Sequence, residues 1–493
     1  MSNKFHLTSS TLDLLPRSLA VHADVEYGLA RTHDGPRLAL LAPTASASFH
    51  AFSGSRSELA DRTLMLCPLT SANAAALRTQ LTWLQPHPLG LATSAGLGDR
   101  LGLATPGHVR AIRATHGKVA PIFTQQSIRE MTRTGRTPQQ VMDDATWGIF
   151  EEGWQSGFGA DADHLKTTED IDSCLSIGYT FFTIDPGAHV DNRAEFATLT
   201  ELRTLAENLS ADVQPRASGL QGKTFNIETL SLVFDEATLL KAAVKYGKAV
   251  AHVAAMYHHL AASAGTRPFE LEVSVDETDQ PTSHAEHVYI ASELKRLGVH
   301  WVSLAPRYIG RFEKGVDYIG DLKAFETDIA GHAAIARQFG PYKLSLHSGS
   351  DKFSIYPAAM RQTRGLVHLK TAGTSYLEAL RTIAAVDVKF FREIYTFARE
   401  RYETDKASYH VSAELGRAPR PQDVTDWPTL LDQFDAREIL HVTFGSVLTG
   451  KTESGSWHFY DRFMDILKAN PEAYAINLEK HFGRHLKPFM GVE

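Results

Sequence analysis

Eight short apolar runs alternate with amphipathic helical segments along most of this chain, a pattern that predicts a parallel α/β protein. Eight units favour a closed (β/α)8 barrel, with a doubly wound open sheet as the competing architecture. The runs cover residues 89–93, 118–124, 159–165, 179–185, 269–276, 301–305, 343–347 and 366–370. Helical periodicity fills most gaps between them, at 139–154, 236–262, 285–297, 322–339 and 376–397. At ~150 residues per domain, 493 residues suggest about three domains, but a barrel alone takes ~250. The expected division is an N-terminal extension (1–85) and a catalytic barrel (86–400) with an insertion around 190–234. A C-terminal helical extension (401–493) would pack on the barrel. Within 1–85, strand-like runs occur at 38–42 and 64–69, between Ser/Gly-rich turns.

Composition narrows the function. Lys+Arg 50 against Asp+Glu 57 gives a net charge of −7, with no basic footprint for nucleic acid or a membrane surface. Hydrophobic content of 43% supports a packed core. Two distant cysteines, Cys67 and Cys174, exclude a disulfide framework or zinc ribbon. Residues 1–7 lack a leader-like pattern and no run reaches ~18 apolar residues, so a cytoplasmic protein is expected.

Core strands should be mostly apolar, so polar residues inside them need a reason. In FELEVSVD (269–276), Leu271, Val273 and Val275 share one face, while Glu270, Glu272, Ser274 and Asp276 share the other. In KLSLH (343–347), Lys343, Ser345 and His347 form the polar row, and His368 and Lys370 repeat the pattern in 367–370. Three strands thus send carboxylate, imidazole and ammonium groups inward. Buried charges must pair or bind a cation, so the readings are an ion-pair network or a functional centre at the C-terminal strand ends. The run GFGADADHLKT (157–167) adds Asp161, Asp163 and His164, a donor set suited to a catalytic Mn, Ni, Co, Zn or Fe. The loop RYIGRFEKGVDYIGD (307–321) supplies Arg307, Arg311, Glu313, Lys314 and Asp317, either as a solvated loop or as a cationic group and a further acidic ligand. HSGSDKF (347–353) joins His347 and Lys352 to small residues that let a ligand approach the backbone.

Other features read as structural. GLGDRLG (96–102) fits GxGxxxG rather than the dinucleotide GxGxxG and lacks the later acidic residue, so a tight βα turn is the better reading. No GxSxG elbow or GxxxxGK[ST] loop occurs. His258 and His259 are adjacent on a helix and face apart. His284 and His287 lie at a helix start, where capping or solvation is the plain reading. His441 is polar within an apolar run, consistent with a core histidine or with a group reaching the barrel mouth.

The blocks ELEVSVDETDQPT, ELKRLGVHWVSLAPRYIGRFEKGVDYIGD, GPYKLSLHSGSDKFSIYP and HLKTAGTSYLEALR resemble the tagaturonate/fructuronate epimerase family, as do GADADHLKTTEDID and LHVTFGSVLT. The resemblance spans most of the chain from the third strand to Leu448; the first 85 residues carry little of it. It implies a divalent-metal-dependent enzyme of hexuronate catabolism that interconverts D-tagaturonate and D-fructuronate. Some members also act on fructose and tagatose. The two ketouronates differ at a carbon β to the ketone, whose C–H the carbonyl does not acidify. Retro-aldol cleavage, rotation of the aldehyde and re-addition would invert it, helped by a Lewis-acidic metal and two acid/base groups.

On that implication, His164 and His347 are expected metal ligands with Asp317 as the acidic one, and Asp163 and Glu272 form the acid/base pair. The alternative gives the metal Glu272 or Asp276. Arg307, Lys352 and Lys370 are the expected contacts for an anionic sugar. A metal-dependent isomerase or aldolase, or a non-catalytic uronate-binding barrel, are the competing functions. The sequence does not oppose a homo-oligomer.

Overall fold

The computed structural model describes residues 6–491. Residues 1–5, which hold most of the segment read for a leader, and 492–493 lie outside the described residues. Eight parallel strands close into a barrel: Ser94–Leu97, Ala120–Ser127, Gly159–Leu165, Phe181–Ile184, Glu270–Val275, Ser303–Pro306, Lys343–Leu346 and Val367–Thr371. The eighth pairs with the first, Lys370 opposite Gly96, which decides for the barrel over the open sheet. Helices surround it, among them Pro138–Glu151, Glu236–Ala264, His284–Arg296 and Leu322–Phe339.

Two expected elements need correction. The apolar run 89–93 is not the first strand. Gly90 adopts φ +61, which breaks an extended chain, and the Leu89 and Gly90 amides instead donate to the Glu270 carboxylate. The strand begins five residues later, at Ser94. The expected helix 376–397 is two helices, Thr374–Val386 and Val388–Asp405. Asp387 (φ −144, ψ 77) leaves helical geometry between them, and its carboxylate caps the second by accepting from Phe390 N at 3.0 Å.

Ahead of the barrel lies a six-stranded sheet, whose Gly35–Pro43 and Arg62–Pro68 contain the two expected N-terminal runs. Arg17 meets Arg110 and Arg113 on the buried carboxylate of Glu152, fastening this arm to the barrel's helices. Residues 190–234 contain the helix Leu199–Glu207 and a hairpin of Thr224–Ile227 with Leu230–Val233. After Asp405 come the helices Phe434–Val442, Phe444–Thr449, Tyr460–Ala469 and Pro471–Leu486. The last packs against Thr105–Arg113 and Thr374–Val386, so the chain's end braces both sides of the barrel's closing seam. The segment 96–102 is a tight turn: Asp99 accepts the amides of Leu101, Gly102 and Ala104, leading into the helix Thr105–Arg113. No described helix is long and apolar enough to cross a membrane.

Candidate active site

Polar side chains fill the barrel in layers. At the N-terminal end Glu270 holds the Leu89–Gly90 turn. Above it Lys343 Nζ donates to Ser94 Oγ at 3.1 Å, and His368 Nδ1 lies 2.9 Å from the same hydroxyl. Burial pushes the His368 imidazole down to about 3, so it fills this layer as a neutral ring. The next layer centres on Lys370, whose ammonium meets Asp163 (2.7 Å), Glu272 (2.8 Å), Asp161 (2.9 Å) and Thr183 Oγ1 (2.6 Å). Burial alone would lower Lys370, but the three carboxylates hold it well above its ordinary range. Burial raises Asp161 to about 7 against the pull of Lys370. The lower layers are therefore the ion-pair filling that the strand parity allowed.

The top layer is different, because a β-bulge redirects it. Strand alternation would turn His164 away from Asp163. Yet Ala162 pairs with Phe182 and Leu165 with Ile184, so the third strand carries one extra residue there. His164 takes it up at φ +55, a left-handed conformation that a side chain rarely adopts. Asp163 and His164 both reach the barrel mouth, His164 Nδ1 donating to Asp163 Oδ1 at 2.8 Å. Across the mouth, His347 follows the seventh strand directly. Its Nε2 donates to Glu272 Oε1 at 2.7 Å, and its Nδ1 stands 3.2 Å from Asp276 Oδ1. The rings of His164 and His347 have centroids 5.1 Å apart. Ligand atoms of His164, Asp276 and His347 all lie within 4.8 Å of one another, a His–His–carboxylate set that fits a divalent cation.

Both histidines are backed by a carboxylate, Asp163 behind His164 and Glu272 behind His347. This is the arrangement that fixes tautomer and ring orientation in metal-binding histidines. Burial opposes ionisation of Asp163 and Glu272. Neighbouring charges win: His164 and Lys370 hold Asp163 well below its usual range, and Lys370 and His347 do the same for Glu272. His347 itself is raised to about 10, burial being outweighed chiefly by Asp276.

The group opens on a cavity of about 410 Å³ lined by Asp276, His347, Arg129, Arg307 and Arg311, and on an inner recess bordered by Asp163, His164, Gln125, Glu130, Lys314 and His441. The Arg307 backbone is pinned to Thr282 on both sides, N to Oγ1 at 3.1 Å and O from N at 2.8 Å. Its Nε is buried without a partner. Lys314 reaches Ser348 Oγ at 2.8 Å, and burial lowers its ammonium.

Not every expected residue joins this group. Asp317 is exposed and accepts from Ser354 Oγ (2.9 Å), Ser354 N and Tyr318 N; Asp276, the alternative, stands between the two histidines. Lys352 is fully buried, its Nζ donating to the carbonyls of Glu313, Val316 and Ser350, so the backbone takes up its ammonium. Glu272 borders neither cavity; it lies beneath His347. Lys370 borders the recess, with its ammonium committed to carboxylates. Gln125, on the polar FTQQS end of the second strand, carries the same signal as the other strand residues, whereas Arg129 and Glu130 lie beyond it in the helix Ile128–Thr134 and have no such signal. His441 reaches the recess from the C-terminal extension, and neither ring nitrogen has a partner.

Residues 15–489 match the model of the tagaturonate epimerase family. A Thermotoga maritima protein named tagaturonate/fructuronate epimerase is 42% identical over 464 residues, covering 94% of each chain. The native crystal structure of fructuronate-tagaturonate epimerase UxaE from Cohnella laeviribosi superposes with a TM-score of 0.91 at 38% identity over 98% of each chain. A two-glycerol complex of that enzyme gives 0.92 at 37% identity, covering 99% of this chain and 98% of that one. Sequence and fold together place this chain in the tagaturonate epimerase family.

Proposed function

We propose that this protein interconverts D-tagaturonate and D-fructuronate using a divalent cation held by His164, Asp276 and His347. The observation that carries the reading is the convergence of those three donors, each histidine backed by a carboxylate, on the inner recess beside a cavity rimmed by Arg307. The cavity volume of about 410 Å³ lies within the ~300–1,000 Å³ of small-molecule sites. A cation there supplies Lewis acidity toward the substrate ketone and its neighbouring hydroxyl.

The chain's own residues do the rest. A base accepts the proton of the hydroxyl on the carbon β to the ketone. The adjacent carbon–carbon bond then breaks, its electron pair passing to the ketone side, and an aldehyde forms. The aldehyde turns, the bond re-forms on its other face, and an acid returns the proton to oxygen. Asp163, which borders the recess, is the proposed carrier for one face; Glu130 and Lys314 border the same recess and are the candidates for the other. Glu272 is assigned to orienting His347 rather than to moving protons. Arg307 is the proposed partner of the substrate carboxylate, since the chain's net negative charge offers no general attraction.

The test is an NMR assay of purified protein on D-tagaturonate with parallel metal analysis. Exhaustive chelation should abolish formation of fructuronate, and Mn, Ni, Co, Zn or Fe should restore it. Full activity without metal would sink the metal role, and cleaved or aldose products would favour aldolase or isomerase chemistry. Arg307→Ala should raise KM for the uronate by ~10–100-fold, the worth of a charge-assisted contact, and leave any turnover of fructose or tagatose unchanged.

A further inference from the structure

A second group of two histidines and an aspartate lies outside the barrel, between the helices His284–Arg296 and Leu322–Phe339. His332 is fully buried, and its Nε2 has no hydrogen-bond partner, although the Thr282 carbonyl faces the ring. Asp328 Oδ1 stands 3.6 Å from His332 Nε2 and 3.8 Å from His284 Nε2, too far to hydrogen-bond either. With metal–ligand bonds of about 2.0–2.1 Å, two ligands of one tetrahedral zinc stand about 3.4 Å apart. The observed spacings are close to that figure.

The surroundings suit such a site. His332 Nδ1 lies 2.8 Å from His287 Nδ1, and His287 Nε2 lies 2.8 Å from Tyr342 Oη. The tautomer with the proton on His332 Nδ1, donated to His287, is the one that presents the Nε2 lone pair to a cation. Asp328 commits its other oxygen, Oδ2, to the Ile309 amide at 3.1 Å. Gly331 gives His284 its place: a Cβ there would stand 2.2 Å from His284 Nε2. His284 is not needed as a cap, because Ser283 fills that role by accepting from Glu286 N. Its Nε2 now donates to the Asp328 carbonyl at 3.0 Å, a bond that ligation would replace.

We propose that His284, Asp328 and His332 form a second divalent-cation site, of the zinc class, that clamps the two outer helices to the loop carrying Arg307. A metal there does no chemistry on the sugar; it fixes the loop that borders the substrate cavity. The site does not depend on the proposed catalytic metal, and the experiment separates the two. Full-length protein carrying His164→Ala and His347→Ala is stripped with chelator, offered Zn²⁺ or Co²⁺, desalted and analysed by mass spectrometry. The expected result is one retained equivalent per chain, a Co²⁺ visible spectrum of tetrahedral type, and a metal-dependent rise in Tm. Adding His284→Gln, or separately Asp328→Asn, should remove all three signals while the circular dichroism spectrum stays unchanged. A folded double variant that retains no metal, or metal that survives both added substitutions, would overturn the proposal.

Discussion

Two clusters near the barrel mouth share one composition, an aspartate and two histidines, yet differ in what lies beside them. In Asp351–His481–His485 every imidazole nitrogen is engaged. His485 Nε2 accepts from Asp351 N at 2.8 Å and its Nδ1 donates to His481 O at 3.0 Å. His481 reaches Glu378 with one nitrogen (3.3 Å) and Asp351 and Thr374 with the other (3.1 and 2.6 Å). Arg437 adds a contact to Asp351 at 3.1 Å. This knot ties the last helix to the loop behind His347. In His164–Asp276–His347, by contrast, His164 hydrogen-bonds through Nδ1, His347 places Nε2 on Glu272 and Nδ1 toward Asp276, and all three side chains border the inner recess. Composition alone does not separate a brace from a candidate site; the cavity beside the group does.

Substitution should pull the two apart. The largest effect is expected from His347→Ala: loss of bound metal and a fall in kcat/KM of about 10³-fold or more, the several kcal/mol of a Lewis acid. Asp351→Ala should instead keep the metal and lose stability. It strands Arg437 and His481 in a buried setting, at a cost of about 3–5 kcal/mol in denaturant unfolding, while metal content in the folded fraction is retained. Equal loss of activity and stability in both variants would erase the distinction.

A finer test addresses the carboxylate behind a proposed ligand. Glu272→Gln should weaken metal affinity ~10–100-fold without abolishing it, as measured by competition with a chromophoric chelator. A total loss of turnover at saturating metal would instead return Glu272 to the role of proton carrier.

The smallest expected effect is a pH dependence at the seam between loop and extension. Burial and the facing Glu313 carboxylate push Glu438 up to about 8, and the Glu438 carboxylate also accepts from Ala413 N at 2.9 Å. Its folded pKa is raised, so the native state binds the proton more tightly than the unfolded chain. That stabilisation is complete below the ordinary glutamate pKa and is lost as pH rises through about 8. Tm should therefore decline from pH 5 to 8.5, and Glu438→Gln should flatten that decline.

Much of this site was legible in one dimension. Period-two parity identified Glu272, Asp276, His347 and Lys370 as one family of inward groups, because a strand leaves a side chain only two directions. Asp276 stood on that row all along. The expectation of Asp317 as the ligand came from a loop, where no periodicity constrains direction, and the chain turns that carboxylate onto Ser354. Lys352 was misplaced for a similar reason: three carbonyls from separate segments converge on it only after folding. Gln125 shows the cost of judging a strand by its apolar half.

The sequence by itself determined the barrel, the inward row of charges and the family, since periodicity and long motif blocks are local properties of the chain. Tertiary structure decided which of those charges face a cavity. The bulge at His164 depends on pairing with a neighbouring strand, and the backing of His347 by Glu272 joins side chains 75 positions apart. Electrostatic roles depend on distance and burial, and both are fixed only when the barrel closes.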